Sequence, residues 1–305
     1  MRLPRPRFPL GKPTWPTPVP RPPVEPDTGA AYDTAWARKF PARVARAMIV
    51  DDVLRPVAHL LARPEVSGLD RLDNLDGPVI FVANHNSHLD TTLLLATIPE
   101  KWRHKTVVAA AADYFFPTKM KAAISALTIG AIPMERTRVD RRSADLAAEL
   151  LADGWSVVIF PEGGRSPDGW ASAFRGGAAY LALRCDRPVV PVHLEGTRNV
   201  WKRGVKLPTP IDKKSSVGVT FGSPMWPEKG ADGKAEASRR FAGRIEAAVA
   251  ALADEQRTDW WQARKRAAGH ATPSLKGPEA GAWRRAWALE GQGRSPVTRE
   301  WPDAR

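Results

Sequence analysis

The sequence predicts an α/β fold, a mostly parallel sheet covered by helices. Three observations carry that expectation. Short apolar runs alternate with amphipathic segments from residue 68 to residue 256. The runs are continuously apolar, as strands buried on both faces are. The chain has 305 residues, 43% hydrophobic and 26% charged, an ordinary globular composition. That is long enough for one such domain with tails, or for two small domains.

The elements follow in order. Residues 42–63 place Val44, Met48, Ile49, Val53, Leu54, Val57, Leu60 and Leu61 at near-helical spacing, and Pro56 should kink them into two short helices. Residues 79–83 read as a buried strand, followed by a polar corner and the apolar stretch 91–98. Residues 107–110 read as a second strand, 119–127 as a helix and 131–134 as a third strand. In 143–153, Leu146, Leu150 and Leu151 share one helical face, and Gly154 supplies the stop. A strand at 155–160, a helix at 176–185 and strands at 188–194 and 217–221 come next. The long helix 235–256 aligns Phe241, Ile245, Val249 and Leu252. Four regions are therefore expected: a proline-rich disordered tail (1–33), an amphipathic helical segment (34–66), the α/β domain (67–256) and a basic, tryptophan-bearing extension (257–305).

Charge and composition limit the function. The net charge is +13, but most of it sits in the two ends. Residues 1–28 hold ten prolines and five Lys/Arg against two Asp/Glu, and residues 257–305 hold ten Lys/Arg against five Asp/Glu. A nucleic-acid enzyme more often concentrates charge along a groove of its body, so no nucleic-acid partner is expected. No run reaches the roughly 18–20 apolar residues of a membrane-spanning helix. The N-terminus carries prolines where a signal peptide carries its apolar stretch. The single cysteine, Cys185, forms no internal disulfide and fits a reducing compartment. The expected location is the cytoplasm, at the membrane's cytoplasmic face. The extension interleaves Trp260, Trp261, Trp283, Trp287 and Trp301 with Arg264, Lys265, Arg266, Arg284 and Arg285. That pattern suits an anionic membrane surface, and packing back onto the domain is the alternative.

The densest polar cluster is Asn84-His85-Asn86-Ser87-His88-Leu89-Asp90, directly after the first buried strand. Ligands of open α/β sheets bind beyond the carboxyl ends of strands. On one continuous helix His85 and Asp90 would point about 140° apart. With His85 on the preceding turn, Asp90 inside the helix and Ser87 as N-cap, they meet. The carboxylate then fixes the imidazole tautomer and leaves the other nitrogen as a base. Phe160-Pro161-Glu162-Gly163-Gly164-Arg165-Ser166 also follows a strand, and its glycines let backbone amides approach an anion. Gly130-Ala131-Ile132-Pro133-Met134-Glu135-Arg136 ends on a guanidinium suited to phosphate. In Val190-Pro191-Val192 the proline cannot donate to a ladder, which predicts a locally irregular strand.

Together these motifs resemble those of the 1-acyl-sn-glycerol-3-phosphate (lysophosphatidate) acyltransferase family of glycerolipid acyltransferases. Asn84, His85, Ser87 and Asp90 match its Asn-His-x-Ser-x-x-Asp motif, Arg136 the arginine closing its second, and residues 160–166 its Phe-Pro-Glu-Gly-x-Arg-Ser motif. Pro191 matches the proline of its fourth motif, and Phe174-Arg175-Gly176-Gly177-Ala178 resembles a basic element opening the next helix. The resemblance spans roughly 68–252 and leaves both tails outside. Gly164 stands where threonine is usual, and Ala109-Ala110-Ala111-Ala112-Asp113 lacks a lysine common after the second strand. Both departures bear on the acceptor more than on the reaction.

The resemblance implies acyl transfer from an acyl-CoA or acyl-carrier-protein thioester to a lysophospholipid hydroxyl. His85 and Asp90 would be the catalytic pair, with His85 as general base. Arg136, Glu162, Gly163 and Arg165 would hold the acceptor's phosphate and glycerol. Asn84, Ser87, Gly130, Phe160, Pro161, Ser166 and Pro191 would support the motifs. No metal or other cofactor is expected, since the thioester is a substrate. Two readings compete: a metal-dependent hydrolase using His85, His88, Asp90 and His193, and a noncatalytic lipid-binding relative.

Overall fold

The computed structural model describes residues 29–135, 141–228 and 233–277, the side chains of 141 and 142 excepted. Its six apolar runs and one further edge segment form a seven-stranded sheet. The strands are β1 (Pro64–Ser67), β2 (Ile80–Ala83), β3 (Thr106–Ala111), β4 (Ala131–Met134), β5 (Ser156–Ile159), β6 (Val189–Glu195) and β7 (Val217–Phe221). Their order is β1-β7-β6-β2-β5-β3-β4. From β6 to β4 every neighbouring pair is parallel; β7 runs antiparallel to β6, and β1 pairs parallel with β7.

The helices are α1 (Ala42–Met48), α2 (Arg55–Ala62), α3 (Asp90–Thr97), α4 (Glu100–Arg103), α5 (Ala112–Phe115), α6 (Lys119–Thr128), α7 (Arg141–Ala152), α8 (Gly177–Cys185), α9 (Thr197–Val200), α10 (Lys234–Arg257) and α11 (Trp260–Ala268). Period-two alternation divides the strands between two cores. Phe81, Ala83, Val108, Val158 and Val190 pack with α2 and α3 on one face. Ile80, Val82, Val107, Val157 and Val189 pack with α7, α8 and α10 on the other.

Several expectations need correction. The segment 34–66 is helical only to Ala62, because Pro64–Ser67 joins the sheet beside β7. β1 is an exposed edge strand and starts on Pro64, where a missing amide costs the ladder nothing. Gly68 follows at φ +75°, and a Cβ there would come within 2.0 Å of the Phe221 carbonyl oxygen, so only glycine fits. Pro56 does not separate two free helices. A π-helical stretch, Ile49–Leu54, joins α1 to α2, and Pro56 follows directly on the wider turn in which the Arg55 amide reaches the Val50 carbonyl.

At the start of the chain, residues 29–33 belong to the folded body. The Gly29 amide donates to the Phe116 carbonyl at 2.8 Å, and the Tyr32 ring lies 5.8 Å from that of Phe116. Residues 1–28 lie outside the described residues. Strand β6 is regular through Pro191, and the irregularity falls on its neighbour. Val192 pairs with Phe221 and Val189 bridges to Met225, so two residues of β6 face three of the other chain segment. The missing proline amide sits in that bulge, while the Pro191 carbonyl accepts from Gly222 at 2.8 Å.

Candidate active site

Strands β2 and β5 are parallel neighbours, so the loops that follow them meet at one edge of the sheet. Asn84 ties the first loop to β6, its side chain donating to the Leu194 carbonyl at 2.9 Å and accepting from the Leu194 amide at 2.8 Å. Asp90 is the first residue of α3 and fully buried. Its Oδ2 accepts from the His85 ring Nδ1 at 2.8 Å and from the amides of Asn86 at 2.7 Å and Ser87 at 2.8 Å. Residues that a continuous helix would hold apart meet because His85 lies on the turn and Asp90 opens the helix. Ser87 is not the N-cap. That position is Leu89, and the Ser87 hydroxyl accepts from the Leu89 amide at 3.0 Å while donating to the Trp201 carbonyl at 2.7 Å.

The hydrogen bond to Asp90 places the proton on Nδ1, which leaves the His85 Nε2 lone pair free to act as a base. The imidazole stacks on Phe160 with ring centroids 4.2 Å apart. Both rings line a cavity of about 1000 Å³. Val108, Ala109, Ala110, Ala111, Ile129 and Met134 supply much of its apolar wall.

The second loop departs from its sequence assignment at Glu162. This carboxylate does not face the cavity. It is 1% exposed and accepts the His85 amide at 2.7 Å on one oxygen and the Ser172 amide at 2.9 Å on the other. Burial pushes its pKa up to about 8, opposed by the amides of Ser172 and His85. Glu162 thus clasps the two loops together, and the Ser166 amide adds a bond to the His85 carbonyl at 2.8 Å. Gly163 has φ +75° and lines the cavity against the Arg175 guanidinium. Arg165 also lines it, its guanidinium 4.9 Å from the Tyr114 ring centroid and in contact with His88. His88 is held near pKa 4, first by burial and then by Arg165, so its ring is neutral.

Pro161 lies in the cavity wall, and its carbonyl accepts the Arg175 amide at 2.9 Å. Arg136 lies outside the described residues; Met134 and Glu135 just before it line the cavity. Gly130 precedes β4, at the opposite end of the strand from Met134, and packs against the buried Arg46. Sequence reasoning did not single out Tyr114, Trp201, Lys234 or Arg239, which also line the cavity. None belongs to a motif, so only their position in the fold reveals them.

The side chains proposed for a metal-dependent site are engaged elsewhere. His193 Nδ1 pairs with Gln256 Oε1 at 2.5 Å, His88 contacts Arg165, and Asp90 Oδ2 holds His85. Among the described residues no group of three His, Cys, Asp or Glu side chains is arranged to hold a metal ion.

The mostly parallel sheet thus carries a His-Asp pair at the carboxyl ends of its strands, beside an apolar cavity. Residues 63–195 match the family model described as Acyltransferase. The chain is 35% identical over 147 residues to a chloroplastic 1-acyl-sn-glycerol-3-phosphate acyltransferase of Brassica napus, an alignment covering 47% of this chain and 40% of that protein. It is 34% identical over 144 residues to the chloroplastic enzyme of that name in Arabidopsis thaliana, covering 46% and 38%. The chain thus spans about 40% of the length of these curated relatives. Its fold is that of the 1-acyl-sn-glycerophosphate acyltransferase of Thermotoga maritima, with TM-score 0.53, 24% identity and coverage of 75% of this chain and 85% of that one.

Proposed function

We propose that this protein is an O-acyltransferase that moves a fatty acyl group from a thioester to the free hydroxyl of a lysophospholipid, 1-acyl-sn-glycerol 3-phosphate above all, giving phosphatidate. One observation carries the reading: the 2.8 Å His85–Asp90 bond beside an apolar cavity of about 1000 Å³. The His85 Nε2 takes the acceptor's hydroxyl proton as that oxygen attacks the thioester carbonyl. Asp90 holds the ring and stabilises the imidazolium. Collapse of the tetrahedral intermediate breaks the carbon–sulfur bond, and the imidazolium returns its proton to the leaving thiolate. Arg165 and Gly163, with Arg136, hold the acceptor's phosphate. The thioester is a co-substrate, and the chemistry requires no other cofactor.

The acceptor and the product are anionic lipids, which supports a site of action at an anionic membrane surface. Among the described residues no helix is long and apolar enough to cross a membrane. Exposed apolar side chains do occur beside basic ones. Phe40, Val44, Met48 and Leu60 accompany Arg43 around α1 and α2. On α11, Trp260 and Trp261 are 48% and 67% exposed, with the Arg264 guanidinium 5.0 Å from the Trp260 ring. The tryptophans at 283, 287 and 301 lie outside the described residues. Binding to anionic vesicles should weaken as salt rises; binding indifferent to salt would remove the electrostatic part of this reading.

The reaction is tested by thiol release from oleoyl-CoA with and without lysophosphatidate. Acceptor-dependent release should fall about 10²–10⁴-fold in His85→Ala, with the melting temperature near that of wild type. Equal release in the variant would exclude His85 as the base. Absence of release with CoA and carrier-protein thioesters alike, in the wild type, would leave a lipid-binding protein.

A further inference from the structure

After α10 the chain doubles back along that helix. Asp259 caps α11 by accepting the Gln262 amide at 2.8 Å. Ala263 of α11 is buried, and the Arg266 guanidinium reaches the buried Asp254 carboxylate of α10 at 2.7 Å. Beyond Ala268 the helix stops, and the Lys276 ammonium pairs with Glu246 of α10 at 2.5 Å. Glu246 lies about two helical turns before Asp254, so the chain runs antiparallel to α10.

This return segment arrives at the loop that carries Glu162. The Leu275 carbonyl accepts the Ala171 amide at 3.0 Å, and the second oxygen of Glu246 accepts the Phe174 amide at 3.0 Å. Between those two bonds, the Ser172 amide donates to Glu162, whose other oxygen holds the His85 amide. Residues 170–175 form no helix or strand. The position of such a segment depends on where its amides find partners. Two of those partners, Leu275 and Glu246, lie outside residues 63–195, which carry the acyltransferase match. A segment that merely packed on α10 would stabilise that helix and touch nothing else. Here it grips the loop on both sides of Ser172. An exposed ion pair contributes little alone. The Lys276 pair also fixes the carboxylate that receives the Phe174 amide, so its effect passes to the loop.

We propose that Leu275 and Lys276, together with Glu246, are positioning residues for the reaction: they hold the backbone of residues 171–174 so that Glu162 stays against the His85 amide. The activity part of this proposal rests on the acyl-transfer reading above. None of the three residues reaches the reacting atoms; they act through the loop, Glu162 and the turn that carries the base.

The test combines deuterium exchange at the backbone amides of residues 170–176 with steady-state kinetics on the full chain. Glu246→Ala removes the acceptor of the Phe174 amide and the partner of Lys276. Exchange in 170–176 should rise about 10-fold, as the loss of one hydrogen bond implies, and turnover should fall by a similar factor with KM little changed. Glu246→Gln keeps an acceptor for Phe174 and should lie between wild type and Glu246→Ala. Lys276→Ala, at a half-exposed side chain on the surface, leaves the core intact and should give a smaller loss of the same kind, which Lys276→Arg restores. Unchanged exchange in 170–176 in both alanine variants would overturn the proposal. So would raised exchange with unchanged turnover, which would make the segment a structural support alone. A loss carried by KM, with turnover retained, would also overturn it, since the segment would then serve substrate binding. In a wild type that transfers no acyl group, the same local loosening would uphold the support of the loop and overturn the acyl-transfer reading instead.

Discussion

Asp90 and Glu162 are both fully buried carboxylates in loops that meet at one edge of the sheet, yet they do different work. Asp90 gathers an imidazole and two backbone amides onto a single oxygen. Its ring partner can take up a proton and become cationic, so the pair can respond to chemistry in the cavity. Among the described residues Glu162 has only amides for hydrogen-bond partners, one on each oxygen, and these do not offset its burial. Its pKa rises to about 8 in consequence. A motif glutamate can thus be indispensable to the shape of a site without facing the substrate. The two carboxylates differ less in burial than in whether a titratable group stands opposite.

The sharpest way to break this comparison is Asp90→Asn. The amide can donate to His85 Nδ1, which would push the proton onto Nε2 and remove the base. Turnover should fall about 10²–10⁴-fold, with the pH dependence of the residual activity displaced. A loss below 10-fold with an unchanged pH profile would mean that Asp90 only packs the loop. Glu162→Gln should cost less, on the order of 10-fold in turnover, since one of the two amides loses its acceptor and the loops dock less firmly.

The same variant tests the titration. The folded carboxyl holds its proton up to about pH 8, whereas the unfolded one releases it near the ordinary carboxylate value of 4.5. Between those values the folded state binds more protons, so this group's contribution to stability falls as pH rises. The melting temperature of wild type relative to Glu162→Gln should therefore decline from pH 5 to pH 8. A constant difference across that range would show Glu162 ionised throughout.

Much of the architecture was legible because a buried strand must be apolar and a surface helix must be striped. The expected strands at 79–83, 107–110, 131–134, 188–194 and 217–221 and the long helix 235–256 correspond to β2, β3, β4, β6, β7 and α10 within a few residues. β1 was not legible, since a four-residue edge strand with three exposed residues carries no apolar run. Nor was the antiparallel placing of β7, because strand direction is set by how the chain returns and leaves no composition behind.

For the site the division is similar. The sequence by itself determined the His85–Asp90 pairing, because a turn followed by a helix start lets only certain spacings meet. It also determined the two glycine-bearing loops and the absence of an apolar stretch long enough to span a membrane. Only the tertiary structure decided that Glu162 turns inward, that Ser87 binds Trp201 instead of capping α3, and that Lys234 and Arg239 share a cavity with His85. Those outcomes depend on which distant segments arrive at the sheet edge. Residue 162 meets 85, and residue 234 reaches the same space, only after β2 and β5 have paired and α10 has packed on α8. Local pattern fixes what a side chain can do, and long-range packing decides what it meets.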